Sequence, residues 1–204
     1  MSLTRGEILE RTVDSIATIY AVVIALAISE SIETLFAGNL HSAADLLSKF
    51  RTGSPAFIAF LFTVVPFWHG MNRHLVRCYL EREGNVKQGP LLFDLFTFII
   101  ESILLFVAGW ALRPGVVSFI CLGVLLLIDS VWGLASHVIH PPFLESHVLR
   151  WVLINVIAVG LGYVAYRLSG SLWILAFFAV ARTITDYKLG WRFYFPNTVN
   201  GRNQ

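Results

Sequence analysis

Charged residues are scarce in this chain, and their scarcity determines which class of protein it belongs to. Only 14% of the 204 residues are charged and 56% are hydrophobic, whereas soluble domains carry about 25% charged residues. A chain with so few charges lacks the polar shell that keeps a large apolar core in water. The net charge of +2 is also too small to indicate binding to nucleic acid. We therefore expect a protein whose solvent is the lipid bilayer.

Cysteines and enzyme motifs are equally scarce. Cys78 and Cys121 lie within or at the end of apolar runs and have no metal-ligand spacing, which predicts buried free thiols. The sequence contains no Gly-x-Ser-x-Gly elbow and no phosphate-binding loop. We therefore expect no enzyme activity, and hence no catalytic residue, cofactor or metal ion.

Apolar segments of about 20 residues, the length that crosses a bilayer, occur six times. Residues that break helices or form turns separate them: Gly53-Ser54-Pro55, Gly89-Pro90, Arg113-Pro114-Gly115, Pro141-Pro142 and Ser169-Gly170. The pattern predicts an all-α, polytopic membrane protein with a single domain over 1–204. Its spans are expected at about 12–36, 55–79, 91–112, 116–138, 148–167 and 171–188. The last span is the weakest, because Arg182, Asp186 and Lys188 follow its apolar stretch.

Most of the 15 lysines and arginines fall on the side of the membrane that holds both termini. Only Lys49, Arg51, Arg113 and Arg167 fall on the opposite side. The positive-inside rule therefore predicts cytoplasmic termini and a multi-pass protein of the bacterial inner membrane. Between the first two spans, the stretch 41–50 is amphipathic, which is typical of a helix at the membrane interface and equally of an ordinary surface helix.

Ionisable side chains inside membrane spans are costly, so each one is a candidate for a special role. Nearly all of them fall in the halves of the spans nearest the termini, which predicts a buried network of ion pairs there. We expect this network to contain Arg11, Asp14, His69, Arg73, Asp94, Asp129, Arg182 and Asp186.

Two of these acids belong to helix faces that we expect to point into the protein. Asp94 shares its face with Phe98 and Glu101, and Asp129 shares its face with Gly133 and His137. A purely structural network is one interpretation of these faces. Transport of protons or cations along them is another.

The first span carries a stripe of small or weakly polar residues at helical spacing, formed by Thr18, Val22, Ala25 and Ser29. Small residues favour close packing of helices in lipid. The same stripe fits a pore wall, in which a ring of Val or Ala forms a gate and hydroxyl groups replace hydration. In addition, Glu30 and Glu33 could attract cations to the outer end of this span.

Features of the first three spans resemble a known channel family. Glu10-Arg11 is followed by Tyr20 and Glu30 at the family's spacing, the segment 66–75 contains Trp68, His69 and His74, and Asp94 stands where the family usually has Asn. In these respects the chain resembles the six-helix potassium channels of bacteria, endosomes and lysosomes. Their Arg-x-x-x-Phe-Ser-Asp signature is not kept here, because its last three positions fall on Ser15-Ile16-Ala17. The resemblance implies a homotetramer that conducts monovalent cations, with gate and filter positions at Val22, Ala25 and Ser29.

Three functions remain open at this point. The leading expectation is an oligomeric pore, a cation channel in which the first helix lines the pathway. The first alternative is a membrane-anchored sensor or effector subunit, for example of a defence system, that binds a cytoplasmic partner through the loop 77–87 and the tail 191–204. The second alternative is a small membrane metalloenzyme that uses histidines such as His137 and His140.

Overall fold

A computed structural model of the chain describes residues 4–37, 42–81, 88–113, 115–139 and 147–196. These ranges are helical almost throughout, and they contain no strand. The helices are α1 (Arg5–Phe36), α2 (Ala43–Leu75), α3 (Gln88–Trp110), α4 (Gly115–Ile139), α5 (His147–Ser169), α6 (Leu172–Leu189) and the short α7 (Trp191–Tyr194), with one π-helical turn, Val76–Leu80, after α2.

Five helical segments are long and apolar enough to cross a membrane. They are Gly6–Phe36, Ala43–Leu80, Gly89–Trp110, Gly115–Ile139 and Val148–Ser169. The predicted all-helical fold is therefore confirmed for the described residues, with five helices that could cross a membrane. The sixth span stays a prediction, because α6 contains Arg182, Asp186 and Lys188 and does not belong to these five segments.

The six long helices form a closed ring in which α2 has the most neighbours. Around the ring, α1 packs on α3, α3 on α4, α4 on α5, α5 on α6, α6 on α2, and α2 on α1; α2 also touches α3 and α4. Successive helices run in opposite directions. The Arg113 side chain, after α3, donates a 2.5 Å hydrogen bond to the Leu35 carbonyl near the end of α1. We call this the Arg113 end of the bundle and the opposite end the α7 end.

Helix α2 begins earlier than predicted and continues through Gly53-Ser54-Pro55, so the prediction of a helix break there is wrong. It begins at Ala43, where the Ser42 hydroxyl accepts a hydrogen bond from the Asp45 N–H. Proline is tolerated in membrane helices when neighbouring groups satisfy the freed carbonyl. Gly53 serves packing instead, since a Cβ there would lie 2.5 Å from Leu35 Cδ1. Residues 43–50 of the predicted amphipathic stretch thus form the first part of α2, and position 41 lies outside the described residues.

Helices α1 and α3 approach each other closely at Gly109, which gives a first testable prediction. A Cβ at this position would lie 2.7 Å from the carbonyl oxygen of Ala27, a backbone atom that cannot easily move. Gly109→Ala is therefore expected to lower the free energy of unfolding by about 1–3 kcal/mol through overpacking. The melting temperature of the purified protein in detergent measures this loss.

Gly123→Ala is the matched control, because a Cβ at Gly123 in α4 meets nothing within 4 Å. This control is expected to leave stability unchanged or to raise it by about 0.5–1 kcal/mol, the gain of alanine over glycine in a helix. Equal melting temperatures for the two variants would contradict the close approach of α1 and α3.

Candidate functional site

The residues predicted to form one polar network lie in several separate places. Asp129, Arg182 and Asp186 are buried in the interior of the bundle, and Asp94 is buried in a neighbouring cluster. His69 and Arg73 contact the segment that contains α7. Arg11 and Asp14 are exposed on α1, so the structure does not bring them into the interior. The bundle-facing stripe of α1 consists instead of Val13, Ile16, Tyr20, Ile24 and Ala27.

The Asp94 carboxylate is the centre of the first cluster. It accepts hydrogen bonds from Tyr79 Oη at 2.6 Å and Trp132 Nε1 at 2.9 Å, and His74 Nε2 lies 2.9 Å from its Oδ2. Cys78 Sγ lies 3.7 Å from the other nitrogen of His74. Asp94 is 0% exposed, and three helical segments supply its partners. The cluster therefore ties α2, α3 and α4 together near the α7 end.

The π-helical turn Val76–Leu80 makes this convergence on Asp94 possible. His74 and Tyr79 are five residues apart, and on a regular α-helix they would point about 140° away from each other. A π turn contains an additional residue, and here the Glu81 N–H bonds to the Val76 carbonyl at 2.9 Å. The wider turn brings both side chains to the same carboxylate. π-helical turns occur frequently at functional sites.

The second cluster consists of Glu101, Asp129, Asn155 and Arg182, none of them more than 3% exposed. Arg182 Nε donates to Asn155 Oδ1 at 2.8 Å, and Asn155 Nδ2 donates to Asp129 Oδ2 at 3.4 Å. The Glu101 carboxyl group faces that of Asp129. Asp186 lies one helical turn beyond Arg182 on α6, and its Oδ2 accepts a 2.7 Å hydrogen bond from the Tyr194 hydroxyl.

A small cavity of about 50 Å³, open on part of its surface, lies against the second cluster. Several buried polar atoms of its lining residues have no hydrogen-bond partner among the residues that the structure describes: Glu101 Oε1, Ser136 Oγ, and Nη1 and Nη2 of Arg182. Aromatic rings form much of the remaining wall, and the Arg182 guanidinium lies 5.6 Å from the centre of the Phe67 ring. A single water needs about 10–15 Å³. The cavity thus has room for a few waters beside groups that lack partners.

Helix α7 closes the cavity at one end. Phe193 and Tyr194 are buried there and line the cavity. Arg73 holds the segment in place, because its Nε donates to the Phe193 carbonyl at 2.9 Å while its terminal nitrogens bind Glu81 at 2.5 and 3.0 Å. Burial and the nearby Asp186 raise the pKa of Tyr194, so its hydroxyl keeps its proton and donates a hydrogen bond to Asp186. The described part of the tail therefore packs on the bundle.

The stripe Thr18, Val22, Ala25 and Ser29 lies on the opposite face of α1 from the bundle. All four residues are exposed, and Val22 is 54% exposed. The helix packs on α2 and α3 through its other face. The stripe is thus not used for helix packing within one chain, which leaves lipid, another copy of the chain or a water-filled pathway as its surroundings.

Sequence reasoning did not predict the aromatic partners Tyr79 and Trp132, nor the contact of Glu101 with Asp129 across two helices. Tyrosine and tryptophan are ordinary in membrane spans, so neither residue type is itself a signal. The only hint is the spacing of Asp129 and Trp132, which puts them on adjoining parts of one helix face.

The structure gives no support to a metal site in the part of the chain that it describes. There, no group of three or more His, Cys, Asp or Glu side chains is placed to hold a metal ion. His140 and Pro141-Pro142, which the metalloenzyme hypothesis involves, lie outside the described residues.

The described residues thus contain two buried polar clusters, one around Asp94 and one around Glu101, Asp129 and Arg182, and an exposed stripe of small residues on α1. Comparisons of the chain with models of protein families, with curated proteins and with solved structures find no match.

Proposed function

We propose that this chain is one subunit of an oligomeric cation pore, in which copies of α1 surround the pathway. The observation that carries this proposal is the exposure of Thr18, Val22, Ala25 and Ser29 along one face of α1. A span that uses one face for the bundle and leaves a weakly polar face outside is suited to meeting its copies around an axis.

The chemistry of the stripe fits cation passage. Hydroxyl groups at Thr18 and Ser29 stand on either side of Val22 and Ala25, so polar rings flank two narrow apolar rings along a pathway of about 17 Å. Glu33 is exposed one turn beyond Ser29 on the same face. Its carboxylate would raise the local concentration of cations at the Arg113 end of the pathway.

The resemblance to the six-helix potassium channels supports the same proposal and makes it more specific. It leads us to propose a homotetramer that conducts potassium or other monovalent cations, with Val22, Ala25 and Ser29 at the gate and filter. In this arrangement both termini face the cytoplasm of a bacterial cell, and the α7 end is the cytoplasmic end of each subunit.

Substitutions in the stripe test the proposal. Val22→Asn is expected to change conductance or open probability several-fold, because a polar side chain hydrates a narrow apolar ring. Ala25→Trp is expected to abolish current by filling the pathway. Currents are recorded from the purified protein in planar bilayers or liposomes.

Val131→Asn is the matched control, since Val131 in α4 is 68% exposed but lies on a different helix from the stripe. It is expected to leave the current unchanged. Currents that are equal in the wild type and in both stripe variants would show that α1 does not line the pathway. A monomeric protein in native-like lipid would rule out the pore altogether.

A further inference from the structure

The interior near the cavity contains more acidic than basic groups. Glu101, Asp129 and Asp186 are 1–3% exposed, and Arg182 is the only arginine or lysine that borders the cavity within the described part of the chain. Were all four groups ionised, the cluster would carry a net charge of two negative units in an apolar bundle. Such a charge requires compensation.

Arg182 compensates this charge only in part, because it forms no salt bridge with any of the three acids. No carboxylate oxygen of the described residues lies within 4.0 Å of its nitrogens, since its Nε donates to Asn155 instead. Asp186 receives a hydrogen bond from Tyr194, and Asp129 receives one from Asn155. The Glu101 carboxyl faces Asp129, another acid, and its Oε1 has no partner among the described residues.

We propose that Glu101 and Asp129 form a proton-binding site and share one proton between their carboxyl groups, with exchange through the water-sized cavity beside them. Two carboxylates in contact repel each other strongly in a low-dielectric interior. A proton on one of them removes a buried charge and supplies the donor that the other needs. The proton comes from water in the cavity and returns to it, so the step changes no other bond.

A proton fits this site better than other ions do. Calcium and magnesium ions take about six or more oxygen ligands, whereas the side-chain oxygens at the cavity come from Glu101, Asp129, Ser136 and Tyr194. The other walls are largely rings and aliphatic groups. An anion would bind to Arg182 only at the cost of repulsion from the two neighbouring acids.

The titratable and charged groups around the pair come from nearly every packed element. They are Tyr20 from α1, His74 from α2, Asp94 from α3, Arg182 and Asp186 from α6, and Tyr194 from α7. Helix α5 contributes the neutral Asn155. Asp94 lies two helical turns from Glu101 on α3, and His74, which borders the same cavity, is already held by Asp94. Because the Asp94 carboxylate is satisfied by its own donors, we assign the shared proton to the Glu101–Asp129 pair.

The site lies inside one subunit and is separate from the exposed α1 stripe, so it goes beyond the pore proposal. Infrared spectroscopy of the purified protein in lipid tests it without any measurement of current. The wild type at neutral pH is expected to show the carbonyl-stretch band of a protonated, buried carboxylic acid. This band is expected to shift on transfer to D₂O, because the cavity allows exchange.

Glu101→Gln and Asp129→Asn are each expected to abolish the band, since each removes one half of the shared site. Their matched controls are Glu10→Gln and Asp14→Asn, at exposed positions of α1, and these are expected to keep it. Size-exclusion profiles identify any variant that fails to fold. If one of the two site variants fails, the test rests on the wild-type band and on the site variant that folds. The absence of the band in the wild type, or its persistence in both site variants, would overturn the proposal.

A second condition separates a proton from a metal cation as the bound charge. The wild-type band is expected to be the same in potassium buffer and in a buffer whose only cation is a large organic amine. A band that disappears when potassium is added would overturn the proposal, since it would mean that a metal ion replaces the proton.

Discussion

Asp94→Ala is expected to cause one of the largest losses of stability of any single substitution in this bundle, about 3 kcal/mol or more. Tyr79, Trp132 and His74 converge on this carboxylate, and all of these contacts are buried. Each stranded donor costs about 1–3 kcal/mol. Because folded proteins are stable by only about 5–15 kcal/mol, much of the variant is expected to be aggregated or unfolded in detergent. Size-exclusion profiles and melting temperatures measure this effect.

Comparison of Asp94→Asn with Asp94→Ala separates the stability contributed by the hydrogen bonds from that contributed by a side chain filling the position. Asp94→Asn keeps one acceptor oxygen and the shape of the side chain, so it is expected to lose less stability than Asp94→Ala. Asp14→Ala, at an exposed position of α1, is expected to change the melting temperature little. If Asp94→Ala behaved like Asp14→Ala, the cluster would not contribute to holding α2, α3 and α4 together.

Much of the fold follows from the sequence because lipid imposes a simple length rule on apolar segments. Helical periodicity also identified which faces point inward: Asp94, Phe98 and Glu101 share a face of α3, and all three are buried. The main error was the start of α2. Gly53-Ser54-Pro55 has the composition of a turn. Whether such a segment breaks a helix depends on the neighbour against which it packs. Here Gly53 packs against Leu35 of α1, and the helix continues.

The candidate site was only partly predictable. Asp129 and Arg182 could be identified from the sequence, because ionisable residues in a span are rare and costly. Arg11 and Asp14 were assigned to the same layer by depth alone, and depth gives no information on which side of α1 they occupy. The convergence on Asp94 also depends on the π turn after α2, which no local sequence pattern indicates.

Arg182 borders two separate spaces in the bundle. Besides the cavity near the α7 end, its side chain borders an apolar groove of about 400 Å³ between α2, α4, α5 and α6 toward the Arg113 end. The groove is lined mainly by aliphatic and aromatic residues. A buried guanidinium at this junction repels cations from either side. Arg182 thus balances part of the charge of the buried acids.

Arg182→Met is expected to destabilise the protein by about 3–5 kcal/mol, because it leaves buried acids without their nearby cation. Methionine has a similar length and fills the same space, so the loss reports the charge and the hydrogen bond to Asn155 rather than a cavity. Arg150→Met, at an exposed position of α5, is the control and is expected to have little effect. Thermal unfolding in detergent compares the three proteins.

The double variant Arg182→Met/Asp129→Asn decides whether the charge itself is responsible. Asparagine at position 129 keeps an acceptor for Asn155 and removes one buried acid, so less negative charge remains uncompensated. The double variant is therefore expected to lose less stability than the sum of the two single variants, with a coupling of about 0.5–3 kcal/mol. Additive losses would contradict the coupling of Arg182 and Asp129. They would mean that Arg182 stabilises the bundle only through its hydrogen bond to Asn155 and its contact with the Phe67 ring. The negative charge of the buried acids would then be neutralised by bound protons alone.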